Sequence, residues 1–227
     1  MPVVDIQDIA LPGADVIRRQ GIPGFEKARP EVVAVITEMV DAVCRENMLK
    51  GRISYEIYKV KSAATDSAVL DNGSMLKGKA FKLLESAGEL AVAVCTIGDG
   101  LEKTVADYFG RKDMLRGMIL DGIGSAAVDS VSQEACRLIS ERAAASGKQA
   151  GSPIGPGMPG FPITEQGALC ELAGADKIGV RLLSSGMLVP RKSVSMAIGI
   201  GSGMKTWTQE QVCAHCPTNR TCTHRVK

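Results

Sequence analysis

Aromatic residues are scarce in this sequence: one Trp, three Tyr and four Phe among 227 residues. A surface that stacks nucleobases draws on several aromatic side chains, so a single-stranded nucleic-acid platform is excluded. Charge of one sign is lacking too. Lys and Arg number 27 against 25 Asp and Glu, a net +2, which provides no basic field for nucleic acid or an anionic membrane. No apolar run approaches the roughly 20 residues of a membrane helix. The start, Met1-Pro2-Val3-Val4-Asp5, has no basic stretch leading into an apolar core and does not read as a signal peptide. Both histidines, His215 and His224, lie near the C-terminus, so the body of the chain holds no Ser–His–Asp set. There is no Walker loop and no complete dinucleotide fingerprint. A self-contained catalytic constellation is not evident, and whether the chain is an enzyme stays open.

Cysteine usage points to compartment. Seven is an odd count, and Cys44, Cys95, Cys136 and Cys170 stand singly among apolar residues. That pattern fits a reducing environment rather than a disulfide framework, so the expectation is a cytoplasmic protein. With 45% hydrophobic residues the chain can bury one sizeable core with a small appendage.

The apolar pattern places the elements. A helical turn is predicted over Asp15–Arg19, and a helix opens at Pro30 and runs to about Met48. Ile53–Val60 alternates as a strand; Asp71-Asn72-Gly73-Ser74 is a turn. Lys77–Ala87 carries helical spacing. Leu90–Ile97 is a continuous apolar run, short and Val-rich, and reads as a buried strand. Gly98-Asp99-Gly100 then leads into a helix over Leu101–Phe109, with Asp99 at the N-cap. Met114–Ala145 is the longest helix, with an apolar stripe running from Leu115 and Met118 to Ile139. Gly117, Gly122 and Gly124 thin its first half, which predicts a close neighbour, the packed sheet or a ligand. Thr164–Ala173 reads as a helix, and Ile178–Leu183 and Ser193–Ile200 as extended runs. These strands lie too far apart for regular βαβ repeats. The fold class is α+β, a mostly antiparallel twisted sheet packed with long helices.

Two segments carry chemistry. Gly151–Pro162 holds four prolines and four glycines in twelve residues, yet Ile154, Met158 and Phe161 make it too apolar for a solvated linker. It is either a rigid crossover covering a sheet edge or a loop whose glycine amides line a pocket. After Gly203 the composition changes. Thr206–Val212 reads as a short helix, and Cys213-Ala214-His215-Cys216 with Cys222 and His224 then follows the pattern C-x2-C-x5-C-x-H. Such a spacing chelates metal. Zinc would take Cys213, Cys216 and Cys222 with a histidine, His224 or His215. An iron–sulfur cluster would take the three thiolates with a fourth ligand from the body, such as Cys170. Residues 1–203 thus form one α+β domain and 204–227 a Cys-rich metal-binding tail.

Pro156-Gly157-Met158-Pro159, then Ile178-Gly179-Val180-Arg181-Leu182, then Met187-Leu188-Val189-Pro190-Arg191-Lys192-Ser193-Val194-Ser195 follow one another in an order that resembles the activation domain of cobalamin-dependent methionine synthase and its small stand-alone relatives. The resemblance implies that fold, a surface for S-adenosylmethionine, and a corrinoid protein or methyltransferase as partner. It implies reductive reactivation of that partner, which favours an iron–sulfur centre in the tail. On this resemblance Gly155, Pro156, Gly157 and Met158 with Arg191 form the ligand surface. Gln133, with Glu134 beside it, matches a glutamate that holds the donor. The family's loop arginine falls on Pro153 and its tyrosine on Met158, so the bidentate carboxylate grip of that arginine is missing. A non-catalytic protein-binding module with a structural zinc knuckle is the alternative, and a homodimer is also open.

Overall fold

The computed structural model describes residues 1–20, 22, 27–84, 86–214 and 220–221, and of Gln209, Val212 and Cys213 only the backbone. Nine strands and six α-helices occur among them: β1 (Val3–Ile6), α1 (Gly13–Arg19), α2 (Pro30–Arg45), β2 (Gly51–Ala64), β3 (Ser67–Leu70), β4 (Met75–Lys77), β5 (Glu89–Thr96), α3 (Gly100–Gly110), α4 (Met114–Ala144), β6 (Gln149–Ala150), α5 (Gln166–Ala173), β7 (Arg181–Leu182), β8 (Leu188–Val189), β9 (Ser193–Gly201) and α6 (Gln209–Ala214). The main sheet has the order β4-β3-β2-β5-β9-β6, with β1 also paired to β2, and every pairing is antiparallel. The expected α+β class and mostly antiparallel sheet are what the chain adopts.

The sheet separates two cores because β5 and β9 are apolar on both faces. Ala91, Ala93 and Cys95 of β5, with Met196, Ile198 and Ile200 of β9, pack with α1, α2 and α4. Leu90, Val92 and Val94, with Ala197, pack instead with α5, Ile154 and Phe161. Alternate residues of a strand point to opposite faces, so a strand buried on both sides loses its polar alternation. That is why Leu90–Ile97 reads as one continuous run.

On the second face the Pro/Gly loop is an ordered layer. Ile154 exchanges two backbone hydrogen bonds with Ala197, 2.9 and 2.8 Å. Phe161 is buried edge-on against Phe81, with ring centroids 5.1 Å apart.

Three local expectations fail for identifiable reasons. Lys77–Ala87 is not an α-helix: Lys77 ends β4, and Lys79–Leu84 forms a 3-10 helix. Gly78 breaks the pattern, since a Cβ there would lie 2.6 Å from the Gly160 carbonyl. Ala80 N–H donates to that carbonyl at 3.0 Å. Ile178–Leu183 is not one strand. Ile178 closes a 3-10 helix, Gly179 is left-handed at φ 76°, and only Arg181–Leu182 pairs, with β8. Ile178 and Val180 are apolar because they are buried in the second core. Finally, the glycines of α4 are overlain by side chains rather than by the sheet: Phe109 at Gly117, Gln20 at Gly122, Leu101 and Lys192 at Gly124. Leu115 and Met118, read as part of the buried stripe, are about half exposed.

Phe161→Ala should destabilise the fold by about 3–5 kcal/mol, since a buried aromatic is lost and a cavity left. Denaturant unfolding measures it, and a cost near zero would show that the loop layer is not packed as described.

Candidate functional site

The site is built where β9 begins. The hairpin β7–β8 delivers the chain to a cis Val189–Pro190 bond, then to Arg191 and Lys192. The Ser193 hydroxyl lies 2.7 Å from the Pro190 carbonyl, to which it donates, and 2.8 Å from Thr96 Oγ1. Thr96 Oγ1 in turn accepts from Gly98 N–H at 3.1 Å. Ile97 N–H donates to the Lys192 carbonyl at 3.2 Å. The C-terminal end of β5 and the N-terminal end of β9 are therefore tied together by hydroxyls and backbone groups.

Beside this junction lies a hollow of about 380 Å³. Pro156 enters it from the loop, Gln166 from α5, and Met187 and Leu188 from the hairpin; Arg191, Ser193 and Ser195 complete it. Gln166 is buried, and its Nε2 donates to Ser195 Oγ at 2.8 Å. The guanidinium of Arg191 has no carboxylate partner among the described residues. The hollow thus combines a mostly polar lining, with some apolar surface from Pro156, Met187 and Leu188, an amide–hydroxyl pair and a cation open to a ligand carboxylate. Its volume falls within the roughly 300–1,000 Å³ of small-molecule sites.

Of the residues singled out from sequence, Pro156 and Arg191 meet in this hollow. The loop amides are already used. Gly155 N–H faces Met158 Sδ at 3.2 Å, Gly157 N–H donates to Phe161 O at 2.8 Å, and Met158 N–H donates to Gly155 O at 3.1 Å. The loop therefore offers a ligand shape and apolar surface rather than free amides at these positions. Gln133 and Glu134 line a different groove, of about 430 Å³, with Asp8, Ser130 and Arg137. Glu134 is paired with Arg137 at 2.6 Å, and that hydrogen bond holds its carboxyl below the usual range. Glu134 and Pro156 thus line separate hollows. α4 packs on one face of the sheet and the loop on the other. Asp99 occupies the N-cap of α3, but its side chain makes no capping bond.

Cys170 lies half-buried on α5, where burial pushes its thiol up and a hydrogen bond with Gln166 opposes the shift. Among the described residues no group of three or more His, Cys, Asp or Glu side chains is placed to hold a metal. The Cys213 side chain, Cys216, Cys222 and His224, on which the metal reading rests, lie outside the described residues. The tail is anchored before them. Met204 is buried in the second core, and Trp207 N–H donates to Ser152 Oγ at 2.8 Å.

Gln166, Ser195 and Met187 were not foreseen. A signal for one existed: Ser193 and Ser195 are polar at a spacing of two inside an apolar strand, which puts two hydroxyls on one face.

Neither a protein-family profile nor a curated protein sequence matches this chain. Its fold is similar to that in the crystal structure of the MetH reactivation domain bound to AdoHcy. The TM-score is 0.67 at 13% sequence identity, over 92% of this chain and 81% of that one. At this identity the likeness establishes the fold, and site residues do not transfer with it. No helix among the described residues is long and apolar enough to cross a membrane.

Because burial raises the Cys170 thiol, its thiolate fraction is low near neutral pH. Iodoacetamide should modify Cys170 more slowly in the native chain than in the unfolded chain. Above the ordinary thiol range, near pH 8.5, the same shift favours unfolding, because the unfolded chain releases that proton first. Equal native and unfolded rates, read by mass spectrometry with exposed Cys44 as the internal standard, would contradict this placement.

Proposed function

We propose that this chain is an accessory protein of corrinoid-dependent methyl transfer, which presents a ligand of the S-adenosylmethionine type to a partner corrinoid protein or methyltransferase. The observation that carries this reading is the likeness of nearly the whole chain to a reactivation domain bound to AdoHcy. The motif resemblance around Pro156 and Arg191 supports it independently.

The hollow suits such a ligand on its donor set. Arg191 offers a bidentate partner for the amino-acid carboxylate, the role that Pro153 denies to the loop. Pro156, Met187 and Leu188 offer apolar contact to a nucleoside, and the Gln166–Ser195 pair offers hydrogen bonding to its polar edge. When bound, the sulfonium supplies an electrophilic methyl group; the chain's own residues bind and orient it. The corrinoid comes with the partner.

In the same reading the tail holds a metal through Cys213, Cys216 and Cys222, as an iron–sulfur centre or, alternatively, as zinc. The fourth ligand is His224 for zinc, or Cys170 from α5 for a cluster.

Two experiments test the proposal. Titrating S-adenosylmethionine into the full chain by calorimetry should show binding, and Arg191→Ala should weaken it roughly 10- to 100-fold, the value of a hydrogen bond to a charged group. No heat at millimolar donor would remove the ligand. Anaerobically purified full chain should contain iron and show a thiolate-to-iron band in visible absorption. Colourless protein with one equivalent of zinc would instead support the zinc-knuckle binding module.

A further inference from the structure

Arg191 owes its placement to groups on the opposite side of the sheet from the Pro/Gly loop. Three anchors converge on two consecutive residues. Glu102, in the first turn of α3, accepts a hydrogen bond from the Arg191 amide. Lys192 Nζ lies 2.8 Å from Asp121 Oδ1 and 2.9 Å from Ser125 Oγ, both on α4. The Lys192 carbonyl accepts from Ile97 N–H at 3.2 Å. The lysine stem reaches these partners along α4 because Gly124 has no side chain: a Cβ there would lie 3.2 Å from Lys192 Cε and 3.3 Å from Cγ. Only 17% of the Lys192 side chain is exposed, against 48% of that of Asp121.

Arg191 itself borders space on both sides: the hollow with Pro156 and Ser195, and on the helical side a cleft of about 800 Å³ with Val105 and Phe109 and a smaller one with Leu101 and Leu120. A long side chain with no ion pair among the described residues has freedom between them. Its backbone does not, since its own amide N–H and the Lys192 ammonium after it are both clamped to helices.

We infer that Glu102 and Asp121, the latter through Lys192, are positioning residues for Arg191: they fix its backbone where the side chain can reach the ligand hollow, and do not line that hollow themselves. The inference rests on the ligand reading above for its consequence, though not for its geometry. The Lys192–Asp121 pair is open to water on the Asp121 side, which limits its contribution to stability, so the effect is read in ligand affinity first.

The test uses the full chain and S-adenosylmethionine as probe. Glu102→Ala, Asp121→Asn and Lys192→Met should each weaken binding roughly three- to ten-fold. In the Arg191→Ala background the same substitutions should change affinity no further, because groups acting through one residue lose their effect when it is gone. Lys192→Arg, which keeps the cation, should restore most of the affinity. Losses that add fully to that of Arg191→Ala, or no loss, would overturn the inference. A readout free of ligand separates the two claims: hydrogen exchange at the Arg191 amide should be roughly ten-fold or more faster in Glu102→Ala, which removes the acceptor, as a local hydrogen bond opens. If wild-type protein gives no heat with the donor and this acceleration is seen, the positioning stands and the ligand reading fails. Unchanged exchange overturns the positioning whatever the donor does.

Discussion

The architecture depends on one pairing. β5 and β9 run antiparallel from Thr96↔Ser193 to Glu89↔Ile200, and nearly every residue between is buried. Backbone groups taken from water on both faces must be bonded within the sheet, and this ladder bonds them. The double burial gives the molecule two cores, one of long helices and one of the Pro/Gly loop with α5. It also fixes where the site can be. Along the ladder the two faces are filled with side chains; at its Thr96–Ser193 end hydroxyls replace aliphatic groups and the chain turns outward through Lys192 and Arg191.

That end of the sheet joins the two layers chemically. From the helical side come Glu102, Asp121 and Ser125, which grip the segment. From the other side come Pro156, Gln166 and the hairpin residues, which shape the hollow. The loop is stiff for reasons visible in its contacts. Its N–H groups at Gly155, Gly157 and Met158 are engaged within it, Ile154 is stitched to β9, and Phe161 is buried under Phe81. A wall of that kind orients a ligand without having to order itself on binding, which lowers the entropic cost of association. Trp207 and Met204 tie the first residues of the tail to the same layer.

Much of this was legible in the sequence, and the exceptions are informative. α2, α4, β5 and β9 were readable because burial of one face or both leaves a distinct apolar period. Lys77–Ala87 and Ile178–Leu183 were misread because Phe81, Leu84, Ile178 and Val180 are apolar for tertiary reasons, while Gly78 and Gly179 decide the backbone. Pro156 and Arg191 could be paired from the motif resemblance. Gln166 and Ser195, 29 positions apart, and Asp121 and Lys192, farther still, meet only through the fold. Gln133 and Glu134 line a groove apart from Pro156, and a sequence pattern records that α4 is amphipathic, not which face of the sheet it covers. In the cysteine motif, by contrast, the information is local, since the spacing alone poses the question of metal.

We propose that a nucleoside-bearing amino-acid ligand sits at the Thr96–Ser193 end of the sheet, against Arg191. Backbone amide chemical-shift mapping with S-adenosylhomocysteine tests this most directly. The largest perturbations are expected at Gln166, Met187, Arg191, Ser193 and Ser195. Perturbations confined to Asp8, Ser130, Gln133 and Glu134, or none at saturating ligand, would contradict it.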